Sequence, residues 1–169
     1  MPVTRHPLLP QTNNDLVVAV DTQALSRLES SLTTLREKGP SITNRFYSRL
    51  FESYPGVRTM FPADIAAQEK KLLDSLVAVV TMLKEPAKTV PMLRELGRKH
   101  TTYGAKPEHY PIVCNLLLDC MKAEFGPEWT PQLALEWTQA LELVAHHMMS
   151  GDATSKSDTL HTHTRTRTV

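Results

Sequence analysis

The sequence predicts an all-α protein of six to seven helices, with flexible tails at both ends. Apolar residues recur at intervals of three and four along most of the chain, a spacing that places them on one face of a helix. No segment alternates apolar and polar residues between turn signals, as a half-buried strand would. With 169 residues the chain has room for one domain with a real hydrophobic core.

Composition and charge exclude several classes of protein. The 19 Lys and Arg residues against 18 Asp and Glu give a net charge of +1, which offers no reason to expect nucleic acid as a partner. No apolar run approaches the roughly 20 residues of a membrane span, and the apolar stretch at 16–20 is too short for a secretory signal. Cys114 and Cys120 lie six residues apart on one predicted helix, too far apart to bond to each other. We therefore expect a cytoplasmic protein with reduced thiols.

Three parts are expected along the chain. Residues 1–20 contain three prolines and an Asn-Asn pair with little periodicity, which predicts a flexible N-terminal arm. Residues 21–152 carry the helical periodicity and are predicted to form the folded domain. Residues 153–169 are rich in Ser, Thr, His and Arg with almost nothing to bury, which predicts a disordered C-terminal tail.

Prolines and glycines are expected to separate the helices of the first half. The leucine spacing from Leu25 predicts a first helix that ends at Gly39-Pro40. A second helix is expected to begin near Ser41 and to stop before Tyr54-Pro55, because the residue before a proline is pushed out of the helical region. A short helical turn is expected to follow.

A third helix is expected from Asp64, which can cap it, to about Lys84. Gln68 lies four residues before Leu72 and therefore on the same face as the buried leucines. There its amide would give a ligand cavity one polar group in an apolar wall. The alternative is a partly exposed glutamine in the first turn of the helix.

Prolines also divide the second half. Pro86 is expected to interrupt the chain and Pro91 to open a helix that carries Leu96 and His100 four residues apart, before a stop at Gly104. Two further helices are expected to complete the fold. Their predicted starts are Pro107, with an irregular first turn caused by Pro111, and the cap Thr130 before Pro131.

Residues 21–152 resemble the globin domain of flavohaemoglobins, over about three quarters of the chain. Two motifs carry the resemblance: Leu-Gly-Arg-Lys-His at 96–100 and His-Tyr-Pro-Ile-Val at 109–113. Tyr110 follows His100 by ten residues, as the corresponding tyrosine does in that branch. The other matching positions are Tyr47, Tyr54-Pro55, Phe61, Gln68 and Leu72.

The resemblance implies a globin fold with haem b, iron protoporphyrin IX, as the cofactor. It implies that His100 is the axial ligand of the iron and that the sixth position is open to a small ligand. Tyr47 and Gln68 would donate hydrogen bonds to that ligand, and Phe61 would wedge against the haem. The other implied cofactor contacts are Leu72, Leu96, Tyr110 and Val113. As an alternative, Tyr47 is an ordinary core tyrosine whose hydroxyl bonds to a backbone carbonyl.

The resemblance also implies a tyrosine and a carboxylate that bond to the other ring nitrogen of the axial histidine. Such partners fix the tautomer and increase electron donation to the iron. Tyr110 fits the tyrosine. The aligned carboxylate is Asp152, where the family carries a glutamate that is one methylene longer.

The expected function is reversible binding of dioxygen, with nitric oxide and carbon monoxide as further small ligands. Oxygen transport and nitric oxide detoxification are the physiological roles that the resemblance implies. The six glycines form no G-x-G, so no dinucleotide fingerprint is present, and nitric oxide dioxygenase activity would need a separate reductase. The alternatives are a haem-based gas sensor or adaptor that signals through a partner, and a globin-shaped structural protein without cofactor. The sequence predicts no oligomeric state.

Overall fold

A computed structural model describes the backbone of residues 21–161 and the side chains of residues 21–151. In this part of the chain there are five α-helices, two short 3₁₀ helices and no β-strand, which confirms the predicted all-α class. No helix among these residues has the length and apolarity needed to cross a membrane. The α-helices are α1 (Thr22–Ser53), α2 (Ile65–Met82), α3 (Pro86–Thr102), α4 (His109–Phe125) and α5 (Pro131–His161), and the 3₁₀ helices are Pro55–Met60 and Gly126–Glu128.

The first α-helix continues through Gly39-Pro40, so the prediction that a helix ends there is wrong. Pro40 removes one amide hydrogen bond. The carbonyl that loses its partner belongs to Arg36, which is exposed to water, so the helix tolerates Pro40. A Cβ at Gly39 would collide with the side chain of Leu73, so the glycine lets α1 pass close to α2. The two predicted helices therefore form one helix of 32 residues.

The third α-helix begins at Pro86 and contains Pro91, so the break before Pro86 is confirmed and the predicted helix start at Pro91 is wrong. Pro86 occupies the first helical position, where no amide hydrogen is needed. The Thr89 hydroxyl donates to the carbonyl of Met82 at 2.8 Å and so joins the start of α3 to the end of α2. Pro91 is tolerated because Ala87, whose carbonyl loses its partner, is exposed to water.

Other helix ends follow the capping residues read from the sequence. The Asp64 carboxylate accepts a hydrogen bond from the Ala66 amide at 3.1 Å, at the start of α2. The Thr130 hydroxyl accepts from the Leu133 amide at 3.2 Å, at the start of α5. Helix α5 continues past residue 152 to His161, into the segment predicted to be a tail. Residues 1–20 and 162–169 lie outside the described residues, and the predicted division of the chain stays a prediction.

The hydrophobic core lies between α1, α2, α4 and α5. Trp137 on α5 is fully buried, and its indole N–H donates to the Ser31 hydroxyl on α1 at 3.0 Å. Burial raises the pKa of the Cys114 and Cys120 thiols on α4, which are both free, as predicted. Further core side chains include Leu28, Leu35, Ile42, Phe46, Leu50, Leu76, Val80, Met121, Phe125 and Leu141.

Helix α3 packs against α5 with the two backbones almost in contact. A Cβ at Gly97 would collide with the main chain of Met148, and a Cβ at Gly151 would collide with the main chain of Arg94. A main chain cannot move aside as the end of a flexible side chain can. These two glycines therefore set the distance between α3 and α5, and with it the position of every side chain on α3.

Replacing Gly97 with alanine should lower the free energy of unfolding by about 1–3 kcal/mol, the usual cost of forcing extra atoms into a packed contact. Gly56→Ala is the matched control, because a Cβ at Gly56 meets nothing within 4 Å. Its effect should stay within about 0.5 kcal/mol. Urea denaturation followed by circular dichroism measures both variants. Equal stability of the two would show that α3 can move away from α5 without cost.

Candidate functional site

His100 lies in the last turn of α3, where the backbone is held by the way the helix ends. The Ala105 amide donates to the carbonyl of His100 at 3.0 Å, and the Gly104 amide donates to the carbonyl of Thr101 at 3.0 Å. Gly104 has a φ of 95°, which glycine adopts without steric cost. These features form a Schellman motif. The predicted stop at Gly104 is confirmed, and the motif fixes the main chain at His100.

The imidazole ring of His100 is held by the same helix. Its Nδ1 lies 2.9 Å from the carbonyl oxygen of Leu96, one turn earlier. A carbonyl oxygen can only accept, so Nδ1 carries the proton and Nε2 carries the lone pair. Nε2 is thus the nitrogen that can bind a metal, and the half-buried ring has a fixed orientation.

The Leu96 carbonyl is a functional group that the sequence analysis missed. Tyr110 and Asp152 are the partners that the resemblance implies for the second ring nitrogen. Tyr110 is half-buried in the first turn of α4, and Asp152 lies on α5 with its side chain outside the described ones. The signal available in the sequence was the spacing of four residues between Leu96 and His100, which brings a helix carbonyl within reach of the ring.

Tyr47 on α1 lies inside a group of aromatic rings. Only 4% of its surface is exposed. Its ring centroid lies 5.6 Å from that of Phe61 and 5.0 Å from that of Phe46, both edge-to-face, and 5.8 Å from that of Phe51. These contacts fix the position of the phenol ring and keep water away from it.

The side chain of Gln68 lies beside the Tyr47 hydroxyl and acts on its pKa. Burial raises the pKa of the Tyr47 hydroxyl to about 12. The Gln68 side chain has a smaller opposite effect, and the negative charge of Glu69 adds to the rise. The phenol is therefore protonated at neutral pH and can donate. Gln68 itself is half-buried in the first turns of α2.

The remaining predicted contacts divide into packed and open positions. Leu72 and Val113 are partly buried against the hydrophobic core. Leu96 is 37% exposed and Met92, four residues earlier, is 58% exposed. Both border an open groove of about 480 Å³, which is otherwise lined mainly by residues of α3. An apolar surface thus lies uncovered on α3, and Leu96 in this surface is one helical turn before His100.

Residues 44–148 match the family model described as Globin. The chain belongs to the globin family. It is similar to the flavohemoprotein of Bacillus subtilis, with 30% identity over 131 residues that cover 75% of this chain and 32% of that protein. It is similar also to the flavohemoprotein of Chromobacterium violaceum, with 29% identity over 142 residues that cover 79% and 35%. The chain thus spans about a third of the length of these flavohemoproteins.

Solved structures share the fold. A bacterial globin from Campylobacter jejuni gives a TM-score of 0.70 at 22% identity and covers 80% of this chain and 98% of its own. A carbene transferase engineered from a candidate nitric oxide dioxygenase of Rhodothermus marinus gives 0.72 at 26% identity, covering 83% and 99%. A flavohemoglobin from Malassezia yamatoensis with bound FAD and heme gives 0.70 at 20% identity, covering 82% and 38%. The predicted globin fold and the predicted resemblance are confirmed.

Tyr47 should ionise near pH 12 rather than at its ordinary pKa of 10. Because the folded state holds this proton more tightly than the unfolded state, the contribution of Tyr47 to stability is fully present below pH 10 and is lost between about pH 10 and 12. Phenolate absorption measured during alkaline titration checks this value. The phenolate transition that occurs at the highest pH in the unmodified protein should be absent from Tyr47→Phe. If the titration curves of the two proteins differ only at lower pH, the raised pKa is contradicted.

Proposed function

We propose that this chain is a haem globin that binds dioxygen reversibly, with His100 as the axial ligand of the iron. The observation that carries the proposal is the hydrogen bond from His100 Nδ1 to the Leu96 carbonyl, which in the neutral ring places the lone pair on Nε2. Membership of the globin family supports it. The heme in the flavohemoglobin of Malassezia yamatoensis adds support through the shared fold.

The residues around His100 fit a haem. Met92 and Leu96 expose apolar side chains on the side of α3 that leads to the imidazole. Covering such a surface with the apolar plane of a porphyrin is favourable. When bound, the haem supplies an iron with one position for a diatomic ligand. We infer haem b, because Cys114 and Cys120 do not form the C-x-x-C-H motif of covalent attachment.

On the side of α3, which we term the proximal side, the chain holds the axial imidazole in one orientation. The Leu96 carbonyl accepts the Nδ1 proton, fixes the tautomer and raises the basicity of Nε2. Because that proton is already donated to Leu96, the tuning role predicted for Tyr110 and Asp152 stays a prediction.

On the side of Tyr47 and Gln68, which we term the distal side, the chain supplies hydrogen-bond donors in an apolar surrounding. Tyr47 is buried and protonated at neutral pH, and the Gln68 side chain lies beside it. A hydroxyl in such a site interacts strongly with a ligand that carries partial negative charge. Phe61 and Leu72 would limit the access of water. The Tyr47 hydroxyl is our choice for the group that slows dioxygen release.

Nitric oxide dioxygenation is a second activity of the same site in this proposal. One nitric oxide, one dioxygen and one electron give one nitrate, so turnover needs a reductant. The similarity to flavohemoproteins and to the engineered protein from Rhodothermus marinus supports this activity. We propose that a separate reductase supplies the electron.

The absorption spectra of the ferric, ferrous and carbon monoxide forms test the cofactor, the axial ligand and the open position together. After reconstitution with haem, the protein should show a Soret band that shifts when carbon monoxide is added to the ferrous form. His100→Ala should lose these features, because the substitution removes the nitrogen that would bind the iron. Lack of a Soret band in the unmodified protein would end the proposal, and unchanged ligand binding by His100→Ala would overturn the assignment of the axial ligand.

Tyr47→Phe should speed dioxygen dissociation by roughly tenfold or more, since a hydrogen bond to a charged group contributes about 1.5–3 kcal/mol. Stopped-flow displacement of dioxygen by carbon monoxide measures the rate. Tyr54→Phe is the matched control, because Tyr54 is 42% exposed and lies outside the aromatic group. An off-rate in Tyr47→Phe equal to that of the control would show that the donor is another residue.

A further inference from the structure

Arg58 binds three successive carbonyl groups of the segment that follows the first 3₁₀ helix. Its Nη1 donates to the carbonyl oxygens of Phe61 at 3.3 Å and Pro62 at 3.0 Å, and its Nη2 donates to that of Ala63 at 3.2 Å. The guanidinium is planar and carries several N–H groups in a fixed arrangement, so one side chain can hold three acceptors. Arg58 thus fixes the backbone of residues 61–63.

The same guanidinium lies over an aromatic ring of the distal side. Its central carbon is 4.9 Å from the centroid of Phe51, and the Phe51 and Phe61 centroids are 5.5 Å apart. Both rings contact the phenol ring of Tyr47. Arg58 therefore binds the main chain of Phe61 and lies over the ring of Phe51. These two rings form part of the wall around Tyr47.

The segment that Arg58 binds also leads directly into α2. Only residues 62–64 separate Phe61 from the first residue of α2, Ile65. Asp64 caps the helix, and Gln68 follows within its first turns. A shift of this short connection would move the start of α2 relative to α1, and with it Gln68 relative to Tyr47.

The charge of Arg58 is used in this contact and not in an ion pair. Other arginines form ion pairs with carboxylates, as Arg45 does with Glu124 and Arg27 does with Glu136. Among residues 21–151, no ion pair involves Arg58. A half-buried cation that bonds to main-chain oxygens costs desolvation without the attraction of an opposite charge. Its contribution is the geometry that it gives to the chain.

We propose that Arg58 is a positioning residue for ligand binding, which holds Phe61 and the start of α2 so that Tyr47 and Gln68 stay in one arrangement. This inference rests on the proposed function of the distal side. Arg58 acts through Tyr47, so its effect on the ligand depends on the Tyr47 hydroxyl.

Arg58→Lys tests the proposal in the haem-loaded protein. Lysine keeps the charge and the aliphatic stem, but its ammonium lacks the planar arrangement that reaches three carbonyls. Dioxygen dissociation should become about three- to tenfold faster, the range expected when a hydrogen bond to the ligand is weakened. The stretching frequency of carbon monoxide in the ferrous protein should shift toward the value found in Tyr47→Phe.

The decisive comparison is the same substitution in a Tyr47→Phe background. If Arg58 acts through the hydroxyl, Arg58→Lys should there change the dissociation rate by less than about twofold. A general loosening of the fold would raise the rate by the same factor in both backgrounds and would overturn the proposal. An unchanged rate in the single variant Arg58→Lys would overturn it as well.

Arg45→Lys is the matched control. Arg45 also binds through two nitrogens, Nε at 3.0 Å and Nη2 at 2.7 Å from Glu124, but it lies in the contact between α1 and α4. The dioxygen dissociation rate of Arg45→Lys should equal that of the unmodified protein. Arg58→Gln serves as a second variant if Arg58→Lys does not fold, with the same expected dependence on Tyr47. Failure of the proposed function is distinct, because it would appear as absence of haem or ligand binding in the unmodified protein.

Discussion

The close approach of the α3 and α5 backbones at Gly97 and Gly151 is the constraint on which the proximal side depends. No side chain lies between the helices at these points, so the distance between them is set by main-chain atoms. The Schellman motif then fixes the end of α3, and the Leu96 carbonyl fixes the ring of His100. Each of these contacts restricts the position of the next group along α3. The imidazole is therefore held in one orientation before any ligand binds. Such preorganisation lowers the entropy lost on binding.

The distal side is held in place by side chains and not by a close contact between two main chains. Tyr47 is positioned by side chains, namely the surrounding rings, and by Gln68. The connection to α2 is positioned by Arg58. Substitutions are thus expected to act differently on the two sides of the site. A changed glycine on α3 or α5 displaces a whole helix, whereas a changed side chain near Tyr47 alters hydrogen bonding while the helices stay in place.

Much of this arrangement could be predicted from local sequence, and the failures have identifiable physical causes. Asp64, Thr130 and Gly104 signal helix ends by their own chemistry, and the structure agrees at all three. The predictions at Pro40 and Pro91 are wrong, because a helix tolerates a proline where the carbonyl that loses its partner is exposed to water, as at Arg36 and Ala87. Helix α1 also continues because its buried face continues on both sides of Pro40. The sequence around a residue does not show which distant residues it packs against.

The groups that hold the site were the hardest to predict, since they are main-chain atoms or contacts between distant residues. The resemblance points to His100 and Tyr47 as site residues. The Leu96 carbonyl gives no such signal, because every residue has a main-chain carbonyl, and Gly97 meets a main chain that is distant in sequence. This acceptor also bears on the chemistry of the proposed haem globin. A neutral carbonyl raises the basicity of an imidazole less than a carboxylate would, because it brings a dipole and not a full negative charge. In the proposed function, moderate electron donation from His100 together with a protonated donor at Tyr47 favours holding dioxygen over activating it.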